Sequence, residues 1–172
     1  MVNHIIKAYA NIYGDYEKAL NSIEDLVRTE AKNILVEIME TPIFLGKSMK
    51  MLLSKSLDDV AFMAATVFFG ILGKDYKKIF EEPEFSIDSK GVGHLILRMK
   101  RCPICTGVHD IKQENLGKKT WGGFLAVLFG EIIELVQEYV ENPYHVEAEE
   151  TKCFMKGDSF GEIVVKLIPK EE

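Results

Sequence analysis

The three cysteines are the residues of this sequence whose type and spacing most clearly predict chemistry. Cys102 and Cys105 form a C-x2-C motif, and Cys153 lies at the end of a later predicted strand. Two thiolates at this spacing can bind one tetrahedral zinc ion, which needs four ligands in a structural site. Cys153 can supply the third ligand. The candidates for the fourth ligand are Glu150, His109 and His145.

Two other interpretations of the cysteines stay open. They can be reduced thiols that only pack, or Cys102 and Cys105 can form a thioredoxin-like redox pair. A redox pair belongs at the start of a helix, whereas Cys105 precedes a polar segment without periodicity. An odd cysteine count also argues against a secreted disulfide framework. Zinc is therefore the preferred interpretation.

Hydrophobic periodicity predicts the elements that must position these cysteines. Helices are predicted over about 15–40, 46–54, 56–72 and 120–140, and strands over about 84–88, 93–99, 144–154 and 162–168. This order predicts an α+β fold: N-terminal helices, two antiparallel strands, a helix and two more strands, with one antiparallel sheet covered by helices. Glu131, Glu134 and Glu138 are predicted to lie on the solvated face of the last helix.

The composition narrows the class of protein. The chain has 172 residues, 47% of them hydrophobic, and a net charge of −6. A chain of this length and composition predicts one domain over 1–172. We expect its helical part over 1–75, and the sheet, the C-x2-C turn and the last helix over 76–172. The acidic balance argues against binding to nucleic acid or to anionic membranes. No signal-peptide pattern is visible and the longest apolar stretch, Val60–Gly73, is too short for a bilayer, so we expect a cytoplasmic location.

The part from about 120 to 168 resembles the 4-vinyl reductase domain family. The family pattern is a Gly-containing apolar helix, a strand with E-x2-C, a Gly-Asp pair and a closing strand. Here it corresponds to TWGGFLAVLFGEIIELV, Glu150-Thr-Lys-Cys153, Gly157-Asp158 and the last strand. The resemblance implies a domain that binds hydrocarbons or other hydrophobic small molecules. It also implies a fold shared distantly with heme nitric-oxide sensors and with a class of vesicle-tethering subunits.

The same resemblance implies metal ligands. Phenol-sensing members hold zinc with cysteines and the Glu of E-x2-C, which implies Glu150 and Cys153. A further family cysteine is replaced here by Gly161, and Cys102 and Cys105 can take its place. Residues three apart in an ideal strand point to opposite faces, so this site requires a bulge between Glu150 and Cys153. The expected structural zinc site is Cys102, Cys105, Cys153 and Glu150, with His109 as the alternate fourth ligand.

Aromatic residues on two predicted helices suggest a hydrophobic pocket between helices and sheet. Apolar pockets with few polar groups are typical ligand sites, and the seven methionines can adapt to an irregular shape. Ordinary core packing is the competing interpretation. The expected lining residues are Phe62, Phe68, Phe69, Trp121, Phe124 and Phe129.

These observations lead to three functional hypotheses. The first is a zinc-stabilised domain that binds a hydrophobic small molecule in a sensory or carrier role. The second is a reductase-like or metal-assisted enzyme on such a molecule, although no common catalytic motif is visible. The third is a protein-binding scaffold subunit, with a possible homodimer through the first long helix around Ile23 and Val27.

Overall fold

A computed structural model describes residues 2–40, 42–44, 47–102, 104–106, 108, 111–142 and 144–170. It confirms the α+β fold. The helices are α1 (Val2–Tyr13), α2 (Tyr16–Glu40), α3 (Val60–Leu72), α4 (Tyr76–Ile79) and α5 (Gly123–Tyr139). The strands are β1 (Pro42–Phe44), β2 (Lys47–Ser48), β3 (Glu84–Ile87), β4 (Gly93–Met99), β5 (Tyr144–Lys152) and β6 (Gly161–Pro169).

The main sheet has four antiparallel strands in the order β3-β4-β6-β5. Alternation along β4 and β6 places apolar side chains on one face, because successive side chains of a strand point to opposite sides. That face is fully buried under the helices. Its central residues are Leu95, Leu97, Met99, Ile163, Val165 and Leu167.

The long helix α2 packs on α5, and α5 packs on β5. The buried stripe of α2 includes Leu20, Ile23, Leu35 and Met39, whose three- and four-residue spacing places them on one face. Ile23 is only 8% exposed. Val27 is partly buried against the core. This stripe is therefore used within the chain itself.

Three features differ from the sequence-based expectations. Helix α1 precedes the first predicted element, and a short β1–β2 pair with one 3-10 turn, Met49–Leu52, occupies the region where a short helix was predicted. Glu131 was predicted to face solvent but is buried, because α5 turns this position toward β5.

In the described part of the chain, none of the helices combines the length and the hydropathy needed to cross a bilayer.

Candidate functional site

The C-x2-C motif forms a tight turn after β4. The backbone N–H of Cys105 donates to Sγ of Cys102 at 3.2 Å, and the Thr106 hydroxyl donates to the Cys102 carbonyl at 2.6 Å. The N–H groups of Cys105 and Ile104 lower the pKa of Cys102, together with its larger interaction with the Cys105 thiol. These donors favour a thiolate at Cys102 because they stabilise its charged form.

Cys153 begins a second turn of similar form after β5. It caps the single 3-10 turn Phe154–Lys156, and Gly157 closes the turn at φ +94°, where a side chain would be strained. The interaction with Cys105 lowers the pKa of Cys153, and the N–H groups of Met155 and Lys156 lower it further. In this second turn Lys156 stands at the position that Cys105 has in the first.

The fold brings the two turns together. Sγ of Cys105 lies 4.0 Å from Sγ of Cys153. Two sulfur ligands of one tetrahedral zinc are separated by about 3.8 Å, given Zn–S bonds of about 2.3 Å. All three cysteines are buried and unbridged. They share a core cluster with Ile6, Leu20, Trp121 and Phe124.

Glu150 lies beside this cluster because β5 is irregular. The pairing of β5 with β6 shifts between Glu150 and Lys152, which is the bulge that the proposed ligand set requires. The Glu150 side chain is buried, and neither carboxylate oxygen has a hydrogen-bond partner. Burial raises the pKa of Glu150 to about 7. A Cβ on Gly122 would come within 2.8 Å of the Glu150 carboxylate, so this glycine makes room for it.

The donor set suits zinc, but the arrangement is incomplete. Among the residues that the structure describes, no three Cys, His, Asp or Glu side chains are placed so that they could hold a metal ion. Three buried thiols and a buried carboxylate without a partner are nevertheless chemically suited to zinc. His109 lies outside the described residues. His145 lies at the opposite end of β5 with its ring 3.6 Å from Glu134, so it cannot complete this site.

The described residues of the predicted aromatic pocket are divided between the core and an open groove. Trp121, Phe124 and Phe129 are buried core residues, and the Phe129 ring packs edge-on against Phe80 at 5.8 Å. Phe62 is 71% exposed, so α3 is not buried all round. Phe62 lines an open groove of about 560 Å³ between α3 and the segment before β3. The side chains of Phe68 and Phe69 lie outside the described residues.

Helix α1 carries a second apolar face that the sequence reasoning missed. Its inner face buries Ile6 and Ala10. Ile5 and Ile12 point outward, with 47% and 76% of their surface exposed. Tyr9 lies between them at helical spacing, is partly buried against the same core cluster as Ile6, and contacts the ring of Tyr13 at 6.1 Å. The Tyr13 hydroxyl is hydrogen-bonded to the Ser22 hydroxyl of α2 at 3.0 Å. The spacing of these residues at i, i+4, i+7 and i+8 was the available signal. We call Ile5, Tyr9, Ile12 and Tyr13 the α1 stripe.

Comparison with known proteins identifies a solved structure of similar fold. No family model and no curated protein matches the chain. The 4-vinyl reductase resemblance therefore has no support beyond its residues. The chain is similar in fold to a crystal structure of trafficking protein particle complex subunit 3 from Naegleria fowleri, covalently bound to palmitic acid. The TM-score is 0.61 at 17% identity, over 98% of this chain and 97% of that one. The chain thus shares the fold of this subunit.

Proposed function

We propose that this chain is a protein-binding subunit of an assembly and that the α1 stripe is its docking surface. The observation that carries the proposal is the exposure of Ile5 and Ile12 on a helix whose other face is already buried. A helix that contributes only to its own core needs one apolar face. A second apolar face at i, i+4, i+7 spacing is typical of a helix that packs against another chain.

The fold supports this proposal. The similar solved structure is by its name a subunit of a protein complex, and the two chains cover each other almost completely. Helix α2, which packs on α1, also exposes large apolar residues: Leu26 is 50% and Ile34 is 58% exposed. An exposed apolar surface of several large residues is a common mark of a protein interface.

A hydrophobic-ligand function has weaker support in this chain. Trp121, Phe124 and Phe129 fill the core instead of lining a cavity. The similar structure carries palmitic acid, but none of the three cysteines lines the groove at Phe62. They lie in the buried cluster around Trp121. A covalent acyl chain therefore has no channel leading from these thiols among the described cavities.

Site-specific photo-crosslinking in the source cells tests the docking surface. A photoreactive amino acid replaces Ile12 in the full chain, and the matched control replaces Ile87, which is 49% exposed on β3. We expect a discrete adduct from position 12 that Ile5→Lys in the same chain removes, and no such adduct from position 87. Equal labelling from both positions, or no adduct from position 12, would contradict the proposal. A second copy of this chain in the adduct would identify a homodimer.

We further propose that Cys102, Cys105, Cys153 and Glu150 hold a structural zinc ion. The proposal is supported by the 4.0 Å separation of Cys105 and Cys153 and by the buried, unpartnered carboxylate of Glu150. Zinc would neutralise the thiolates and give Glu150 a partner. A site closed by four protein ligands stabilises the fold and leaves no position for substrate.

Metal analysis by mass spectrometry tests the zinc proposal on protein purified without added metal. We expect close to one equivalent of zinc, reduced by Cys153→Ser and by Glu150→Gln. Glu149→Gln is the matched control, because Glu149 is the exposed neighbour of Glu150 on β5. Less than about a tenth of an equivalent in the unmodified protein would rule out the zinc site.

A further inference from the structure

A cleft lies between α2, α5 and the edge strand β5, away from both the α1 stripe and the cysteine cluster. Its volume is about 260 Å³. The floor is apolar and flat, formed by Val127, Gly130 and Ala148. Gly130 keeps it flat, because a Cβ there would come within 3.1 Å of the Ala148 methyl group.

One buried carboxylate in this cleft lacks a partner. Glu131 lines the cleft and is only 9% exposed, and no described residue donates a hydrogen bond to it or forms an ion pair with it. Burial and the neighbouring Glu134 raise its pKa. Its oxygens are not among the fully buried, unpartnered side-chain atoms of the described residues, so they reach the space of the cleft, where a cation can contact them.

The nearby cations compensate this charge only in part: burial and Glu134 raise the pKa of Glu131 more than Arg28 and Lys32 lower it. Lys32 is itself paired with Glu138 at 2.7 Å, further along the same face of α5. Arg28 lines the cleft, but its side chain makes no ion pair with Glu131. Glu134 and Glu147 add two more acidic groups to the lining. His145 also lines the cleft, with its ring 3.6 Å from Glu134. The lining therefore contains the carboxylates of Glu131, Glu134 and Glu147 together with Arg28 and His145.

From this arrangement we propose that the cleft binds an alkylammonium group. The ammonium donates hydrogen bonds to Glu131 and Glu134, and the alkyl chain lies on the floor of Val127 and Ala148. The described residues place no three ligands together for a bare metal ion, and the cleft is far larger than one. An ammonium with an apolar stem matches both the charge and the floor. The group can come from a free diamine or from a lysine of a partner protein.

Isothermal titration calorimetry on the full chain tests the cleft with two probes. 1,4-Diaminobutane represents the free diamine, and Nα-acetyl-lysine amide represents a lysine side chain. We expect saturable binding of at least one probe, and the tighter probe identifies the source. Glu131→Gln preserves shape and should weaken binding by about tenfold or more, since it removes a charge-assisted hydrogen bond. Arg28→Ala should strengthen binding, because it removes the competing positive charge.

The matched control is Glu149→Gln, which removes a carboxylate that is 63% exposed and makes only a 3.9 Å contact with Lys166. This variant should bind as the unmodified protein does. Absence of saturable binding with both probes would overturn the proposal. So would unchanged binding in Glu131→Gln, or an equal loss in Glu149→Gln, which would indicate general attraction to an acidic protein. Circular dichroism of each variant confirms that the fold is retained.

Discussion

The indole N–H of Trp121 donates a hydrogen bond to Oδ1 of Asn3 at 2.9 Å. This bond joins the first turn of α1 to the segment that leads into α5. Trp121 is fully buried, and its ring also contacts Tyr16 at 6.0 Å. The inner face of α1 is thereby fixed to the core, which holds the outer face, the proposed docking surface, in place.

Asn3→Ala should destabilise the protein by about 1–3 kcal/mol, because it leaves a buried indole N–H without an acceptor. Asn11→Ala on the same helix is the matched control, since Asn11 is exposed. Urea unfolding followed by tryptophan fluorescence measures both, as Trp121 is the single tryptophan. Equal midpoints for the two variants would show that the Asn3 bond does not anchor α1.

Glu150 should make the metal-free protein less stable as the pH rises. Its pKa in the folded state is about 7, above the ordinary 4.5, so the folded state holds the proton more tightly than the unfolded state does. That contribution is full below about pH 4.5 and is lost as the pH rises to about 7, at a cost of about 3 kcal/mol. Chemical unfolding in chelator at pH 5 and pH 8 measures it.

Glu150→Gln should remove most of this pH dependence, whereas Glu149→Gln should leave it unchanged. Zinc should reverse the trend, because a bound cation favours the ionised carboxylate and thiolates. The thiols of Cys153 and Cys102 have lowered pKa values and act in the opposite direction over this range, so the comparison with Glu150→Gln isolates the carboxylate. An identical pH dependence in Glu150→Gln and in the unmodified metal-free protein would contradict the burial of an unpartnered carboxylate.

Gly122→Ala should destabilise the protein, because the new methyl group would meet the Glu150 carboxylate at 2.8 Å. The carboxylate is the far end of a flexible side chain and can shift, so the cost should be about 1 kcal/mol, the low end for overpacking. The loss should be much smaller when Glu150 is already alanine. A double-mutant cycle by urea unfolding measures this coupling. Independent effects of the two substitutions would show that Gly122 does not make room for Glu150.

Substitution of isoleucine by lysine should affect stability very differently at position 23 and at position 12. Ile23→Lys buries a charge in the core and should cost more than about 3 kcal/mol. Ile12→Lys changes a residue that is 76% exposed and should alter stability by less than about 0.5 kcal/mol. Thermal unfolding compares them. A large loss for Ile12→Lys would mean that the α1 stripe supports the fold.

Local periodicity and turn chemistry were enough to predict most of the fold. The alternation in β4 and the three- and four-residue spacing in α2 each reflect burial within the chain, so these elements could be predicted from sequence. The C-x2-C turn and the bulge after Glu150 could also be anticipated, because the proposed ligand set requires both.

Other features depend on which surfaces meet in three dimensions. Glu131 occupies a polar position in the helix pattern, yet β5 covers it. Phe62 belongs to an apolar segment, yet none of the described elements covers it and it remains 71% exposed. Neither outcome is encoded in local spacing, because both depend on how α3 and α5 pack against distant strands. Local spacing also does not show which of the two apolar faces of α1 is buried. That depends on distant residues of the core, such as Trp121.

The most direct test of the docking surface is sedimentation velocity of this chain mixed with the partner that cross-linking identifies. The unmodified chain should sediment as a complex with that partner. Ile12→Lys should weaken the complex by about tenfold or more, with an unchanged unfolding midpoint. Ile87→Lys should leave the complex intact. If the Ile12→Lys chain still sediments as the full complex, the α1 stripe is not the surface through which this protein binds its partner.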